Sequence, residues 1–352
     1  MKNKLFILFL LFIVIFSSCS KRDDTPDQID ESSTVTFYKA PVNSKFQVVG
    51  YIPSYRNIDA IPDSKLRQLD VVIYAFATIN SSLLPEIDQP DKLQTLVSRC
   101  HALGVKVLLS FNGSQQYFVL MASQKSTRDL FVNALKEDIS KYNLDGIDND
   151  WEYPSVSDGS GYYNALLMKQ LSDFCHKGNP YLLTMAITSG LYVGAVSNGI
   201  LPDVFDDVDW FNVMIYDDYS TTQSYVQHSP YSMLLASFNY WITVRNLART
   251  KFVAGIPFYG RPSGISMTGN TLSYADIIDQ GGDCMSDSAL VITTTHSAPF
   301  WIYYNGMTTV QRKIQYSFSQ GLGGVMFWEI SMDTNDNSSL MEAVENEINR
   351  MK

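Results

Sequence analysis

Eight apolar runs of strand length, alternating with segments of helical periodicity, constrain this chain more than any other feature. They lie near Gln47 to Ile52, Val71 to Thr78, Val105 to Ser110, Gly146 to Glu152, Leu182 to Ile187, Trp210 to Tyr216, Phe252 to Pro257 and Gly324 to Trp328. The spacing predicts helices over Pro90 to Leu103, Ser126 to Tyr142, Tyr162 to Lys177, Pro230 to Ala248, Thr308 to Gln320 and Ser338 to Arg350. Strands that are apolar almost throughout are buried on both faces, as in a parallel sheet. Eight such strand and helix units close a (β/α)8 TIM barrel, with a doubly wound open sheet as the alternative architecture. The predicted barrel spans 45–352. Its rhythm breaks once, over 261–305, where Gly, Ser and Thr dominate and no good helix follows the seventh strand. We expect a small insertion there, on the face where such barrels carry their active sites.

Ahead of the barrel, Met1-Lys2-Asn3-Lys4 precedes an unbroken apolar run from Leu5 to Phe16, then Ser17-Ser18-Cys19. A positive start, a hydrophobic stretch too short to span a bilayer and small residues before a cut are the anatomy of a secretory signal, expected over 1–18. Phe16-Ser17-Ser18-Cys19 resembles a bacterial lipobox, which makes Cys19 the expected lipidation site and 19–44 a polar tether. Charges directly after Cys19 resemble the export signal of surface lipoproteins in the Bacteroidetes. The expected location is therefore the cell envelope, lipid-anchored at the outer-membrane surface, and otherwise periplasmic or secreted.

A formal net charge of −10, from 36 acidic and 26 basic residues, and the absence of a basic cluster argue against nucleic acid and against binding to anionic lipid. A lipid anchor is the one membrane contact expected, and a monomer is the expected state. Aromatics reach 13%, with 21 Tyr and five Trp, more than a core of this size needs and suited to sugar faces. Without Cys19, the remaining Cys100, Cys175 and Cys284 have neither disulfide nor zinc spacing. The four histidines are scattered with no H-E-x-x-H, so neither a metal nor a cofactor is expected.

Leu144-Asp145-Gly146-Ile147-Asp148-Asn149-Asp150-Trp151-Glu152-Tyr153-Pro154 sets three acids at alternate positions. Strand side chains repeat every second residue, so Asp148, Asp150 and Glu152 share one face at the carboxyl end of the fourth strand. Three carboxylates aimed at one small volume cannot all ionise freely, and at least one pKa must rise. A calcium loop of that spacing needs Gly and further oxygen ligands in a turn, whereas Ile147 and Trp151 alternate with the acids as on a buried strand.

The run resembles the signature D-G-x-D-x-D-W-E-Y-P of glycoside hydrolase family 18, the chitinases and their relatives. Gly50-Tyr51, Tyr74-Ala75-Phe76, Met214-Ile215-Tyr216-Asp217, the run from Gly255 to Arg261, and Gly324-Val325-Met326-Phe327-Trp328 look like that family in the same order. One departure is Ser110-Phe111-Asn112-Gly113, where the family has Ser-x-Gly-Gly; it alters the third loop and keeps Ser110. The resemblance implies that Glu152 is the acid and later the base, while the substrate's own 2-acetamido oxygen attacks, an exception to the two-carboxylate scheme. It implies that Asp150 orients the acetamide, that Asp148 shares a proton with Asp150 aided by Ser110, and that Tyr216 donates to the acetamide carbonyl. Trp328 is then the floor under the sugar, with Tyr51 and Phe76 lining the same space. Asp217 is a sugar or proton-network partner, and Tyr153 and Arg261 are candidates to hold neighbouring sugars.

Three functions compete. The first is an endo-acting chitinase that cuts β-1,4 links between N-acetylglucosamine units. The second is an endo-β-N-acetylglucosaminidase acting on the chitobiose core of N-glycans, and the third is a non-catalytic glycan-binding protein on the same barrel. In each case the partner is an N-acetylglucosamine-containing oligo- or polysaccharide. Trp151 before the acid favours the first, a modest insertion pulls toward the second, and the three intact acids argue against the third.

Overall fold

The computed structural model describes residues 45–220, 222–223, 226–263 and 270–351. The expected signal over 1–18, Cys19 and the tether over 19–44 lie outside the described residues. Eight parallel strands form the barrel: β1 (Gln47–Pro53), β2 (Val71–Ile79), β3 (Lys106–Asn112), β4 (Gly146–Asn149), β5 (Leu182–Thr188), β6 (Trp210–Met214), β7 (Phe252–Pro257) and β8 (Gly324–Trp328). Each pairs with its successor, and β8 pairs with β1 to close the ring. The TIM barrel read from the apolar runs is the fold observed.

Alternation along the strands divides the core in two. Val48, Ile52, Phe211, Val213 and Ile215 point outward into the layer between strands and helices. Val49, Tyr51, Val71, Ile73, Leu108, Trp210, Val253 and Met326 point inward and fill the barrel, with Met214, Tyr216 and Trp328 packed above them. The helices Pro90–Ala102, Lys125–Tyr142, Ser160–His176, Met307–Ser319 and Leu340–Met351 stand close to where periodicity puts them.

Four places differ from expectation. β4 ends at Asn149 and β6 at Met214, so Asp150, Glu152 and Tyr216 lie in the segments that follow their strands instead of sitting within the ladder. The helix Gln115–Ser123 was not expected; Ser114 caps it by accepting the Tyr117 N–H at 3.2 Å. The predicted helix over 230–248 is α-helical only across Tyr231–Phe238 and continues as a π-turn over Asn239–Val244, where the buried Trp241 donates its indole N–H to the Thr188 carbonyl. The insertion is an antiparallel sheet of four short strands (Tyr259–Pro262, Leu272–Ser273, Ser288–Val291, Phe300–Tyr303) with one helix, Tyr274–Asp279. Strands of two to four residues carry too few alternations to show in sequence.

Gly255 in β7 marks a close approach. A Cβ there would stand 2.4 Å from the Val213 carbonyl oxygen and 3.0 Å from the Tyr216 ring. Gly255→Ala should therefore cost about 1–3 kcal/mol of stability through overpacking. Chemical denaturation measures this, and a midpoint equal to that of the parent would show that β7 and Tyr216 can yield without cost.

Candidate active site

Alternation continues past the end of β4. Ile147, Asn149 and Trp151 point outward, where Asn149 Nδ2 donates to Asn164 and the Trp151 ring stacks on Phe118 at 4.5 Å. Asp148, Asp150 and Glu152 consequently all face the barrel axis, at three depths.

Asp148 is deepest and fully buried. Its register neighbours are Ser110 in β3 and Thr184 in β5, and both hydroxyls reach it, Ser110 Oγ to Oδ2 at 2.8 Å and Thr184 Oγ1 to Oδ1 at 2.5 Å. Tyr51 donates to Oδ2 at 2.8 Å and Asn212 Nδ2 to Oδ1 at 3.1 Å. Asn212 also donates to the Tyr51 oxygen, which leaves the Tyr51 hydrogen directed at Asp148. Burial raises the Asp148 pKa, and these four hydrogen bonds oppose the rise.

Asp150 lies one step higher. Burial first, then the charges of Glu152 and Asp148, push its carboxyl well above the ordinary range. A hydrogen bond joins Asp150 to Glu152, so the two carboxyl groups hold a proton between them, and burial raises both. The resemblance implied sharing between Asp148 and Asp150; here the hydrogen bond of Asp150 runs to Glu152. Asp148 already has donors on both oxygens and offers Asp150 only its field. Asp150 Oδ1 is buried and, among the described residues, has no hydrogen-bond partner.

Glu152 is the uppermost acid, and solvent reaches its side chain although protein surrounds much of it. That surrounding raises its pKa, hydrogen bonds from Tyr153 and Asp150 pull it back, and the Asp217 charge pushes it up again. The cavity above the acids has a volume of about 400 Å³. Tyr51, Phe76, Asp150, Glu152, Tyr153, Tyr216, Asp217 and Trp328 all line it. Trp328 packs at 5.3 Å from Tyr51 and stacks on Phe76 at 6.0 Å. Strict alternation would turn Phe76 outward, since Ile73 and Ala75 face in. A register shift between Ala75 and Ala77 against β3 re-aims it into the cavity. The peptides Ala75–Phe76, Glu152–Tyr153 and Trp328–Glu329 are cis.

The opposite wall is built on the β6 loop. Tyr216 keeps its proton, because burial and then the neighbouring Tyr259 and Asp217 hold its pKa well above the usual phenol value. Asp217 is gripped by Arg261 at 2.5 and 3.0 Å and by the Tyr259 hydroxyl at 2.5 Å. Burial would raise its pKa, but the hydrogen bonds from Arg261 and Tyr259 and the Arg261 charge outweigh it and hold the carboxyl well below the usual range. Arg261 thus stands behind Asp217 and is absent from the cavity lining, contrary to the expectation that it holds a sugar. Ser110 likewise serves from beneath the cavity, through Asp148.

Thr184, His228, Tyr259 and Tyr192 were not singled out in the sequence. Thr184 could have been found as the register neighbour of Asp148. His228 carries no local signal, because it meets Asp217 only through the return of the β6 loop.

The family model described as Glycosyl hydrolases family 18 matches residues 47–333. A class V chitinase of Arabidopsis thaliana is 26% identical over 313 residues, covering 76% of this chain and 81% of that protein. Chitinase A1 of Niallia circulans is 29% identical over 288 residues, 66% of this chain, but the chain spans only 41% of its length. A plant class V chitinase mutant from Cycas revoluta, solved in complex with (GlcNAc)3, superposes with a TM-score of 0.73 at 22% identity, covering 86% of this chain and 99% of that one, a likeness of fold. The matched span runs from the first strand of the barrel past the eighth and takes in every acid of the cavity, and on that match the chain belongs to glycosyl hydrolase family 18.

Proposed function

We propose that this protein is an endo-acting hydrolase of β-1,4-linked N-acetylglucosamine chains that retains configuration with help from the substrate's own acetamide. The observation that carries the reading is the Asp150–Glu152 pair, which shares one proton beneath the cavity while Asp150 Oδ1 points to no partner. Moving that proton to Glu152 readies the acid and leaves Asp150 ionised, able to accept an acetamide N–H. Glu152 then protonates the glycosidic oxygen as the acetamide carbonyl oxygen attacks C1, and the leaving alcohol departs. Tyr216, kept protonated, donates to the acetamide oxygen. In the second half Glu152 takes a proton from water, which opens the oxazolinium ring with retention.

A two-carboxylate route fits less well. Asp150 lies buried and hydrogen-bonded to the acid itself, Asp217 is engaged by Arg261 and Tyr259, and Asp218 accepts the Tyr192 hydroxyl at 2.6 Å. The names of the relatives, both chitinases, and the neighbour bound to (GlcNAc)3 support the substrate class. Endo action is favoured by the small insertion, whose strands among the described residues are only two to four residues long. Attachment to the outer-membrane surface through Cys19 is part of the same proposal.

Glu152→Gln should lower kcat by about 100-fold or more, the scale of a lost general acid, with KM little changed. Mass analysis of products from chitin oligomers and, separately, from a high-mannose glycoprotein tests the substrate. Release of intact N-glycans with untouched chitin oligomers would replace the chitinase reading by the glycan-core one, and turnover of neither would favour glycan binding alone. Glu152 must be protonated to act as acid, so activity falls as pH rises through its raised pKa. Asp217→Asn removes a charge that raises that pKa and should move the alkaline limb of kcat/KM to lower pH; a limb that stays or moves up contradicts the coupling. Finally, cells fed labelled palmitate should label the parent protein and not Cys19→Ser, and equal labelling would rule out Cys19 as the anchor.

A further inference from the structure

Tyr216, Asp217 and Asp218 lie beyond Met214, the last residue of β6, so the sheet ladder does not hold them. Arg261, Tyr259 and Tyr192 hold the side chains of Asp217 and Asp218, and three anchors hold the backbone. Ser229 Oγ donates to the Ile215 carbonyl at 2.5 Å, the Asp217 N–H donates to His228 Nδ1 at 3.3 Å, and the Asp218 N–H donates to the His228 carbonyl at 2.9 Å. All three come from two adjacent, fully buried residues, His228 and Ser229.

That pair is in turn fixed by Lys313, on the helix Met307–Ser319. Lys313 Nζ donates to the Ser229 carbonyl at 2.8 Å, to Ser229 Oγ at 2.7 Å and to Asn305 Oδ1 at 2.7 Å. Asn305 Nδ2 completes the junction by donating to the same Ser229 carbonyl at 2.9 Å. An ammonium has three N–H groups, and here each has an acceptor. Among the described residues these partners are neutral oxygens, and Lys313 is buried. Taking a cation out of water costs several kcal/mol, so an apolar side chain would fill this space at lower cost. Burial pushes the amine down to about 7, with the Asp287 carboxylate opposing. What the ammonium alone supplies is a three-way junction between the helix, the exit of the insertion at Asn305 and the arm that carries the β6 loop.

We propose that Lys313 is a positioning residue for Tyr216 and Asp217, acting through Ser229 and His228. The inference rests on the active site described above for N-acetylglucosamine chains, and it links the insertion to the chemistry without any contact between Lys313 and substrate. Loss of the junction would let residues 215–218 drift, taking the Tyr216 hydroxyl from the acetamide and the Asp217 charge from Glu152.

The test compares full-length Lys313→Met and Ser229→Ala with the parent on an N-acetylglucosamine tetramer, with thermal melting to verify folding. A misplacement near 1 Å at a catalytic group can cost as much as ~100-fold, so a kcat loss of about tenfold or more is expected with KM nearly constant. The alkaline limb should also move to lower pH, a change that general loosening of the core would not produce. Folded variants with parental kcat and an unmoved limb would overturn the proposal. Should Lys313→Met not fold, Ser229→Ala retains the lysine and the carbonyl and carries the test. If the parent itself leaves the tetramer intact, the substrate reading fails, and crystal structures of the variants decide the positioning role. Displacement of residues 215–218 with superposable barrel strands supports it; an unmoved Tyr216 and Asp217 refute it.

Discussion

Asp148 is a carboxylate in the middle of an otherwise apolar barrel, and the barrel itself takes the place of its water. An isolated charge in that position would be prohibitively costly. Its solvation comes from Tyr51, Ser110, Thr184 and Asn212, carried by β1, β3, β5 and β6. No local segment of chain can gather four donors from four separate strands, so the acid is accommodated only once the ring has closed. The same side chains then shape what lies above. Tyr51 also packs against Trp328, and Asn212 shares its strand face with Met214 and Tyr216.

From that anchored acid the pKa values of the site separate in steps. Asp148 acts on Asp150 through its field, Asp150 is hydrogen-bonded to Glu152, and Glu152 meets solvent at the top. Across the cavity Asp217 is kept ionised by Arg261 and Tyr259, and its charge pushes Glu152 upward. Two acids driven apart by their surroundings, one retaining a proton and one losing it, are the arrangement that acid–base chemistry near neutral pH requires.

Much of this was legible in the chain. Alternation assigned Ile147 and Trp151 outward and the three acids inward, and likewise separated Phe211, Val213 and Ile215 from Asn212, Met214 and Tyr216. Alternation has no memory of a register shift, however, and only the bulge in β2 turns Phe76 into the cavity. Arg261 read as a sugar-binding residue because its position near the cavity was visible and its partner was not. Its pairing with Asp217 depends on a strand of the insertion, Tyr259–Pro262, too short to announce itself. His228 and Lys313 were beyond reach for the same reason, being functional only through residues distant in sequence.

The sequence by itself determined the barrel, the face on which the acids stand and the order in which they follow one another, because side-chain periodicity is a local property that a run of ordinary strand length already expresses. The tertiary structure alone decided how strongly each acid's pKa is displaced. A pKa is set by burial and by charges and donors within a few ångströms; the acids act on one another along their own segment, but the burial, the donors on Asp148 and the Asp217 charge arrive from β1, β3, β5, β6 and the β6 loop.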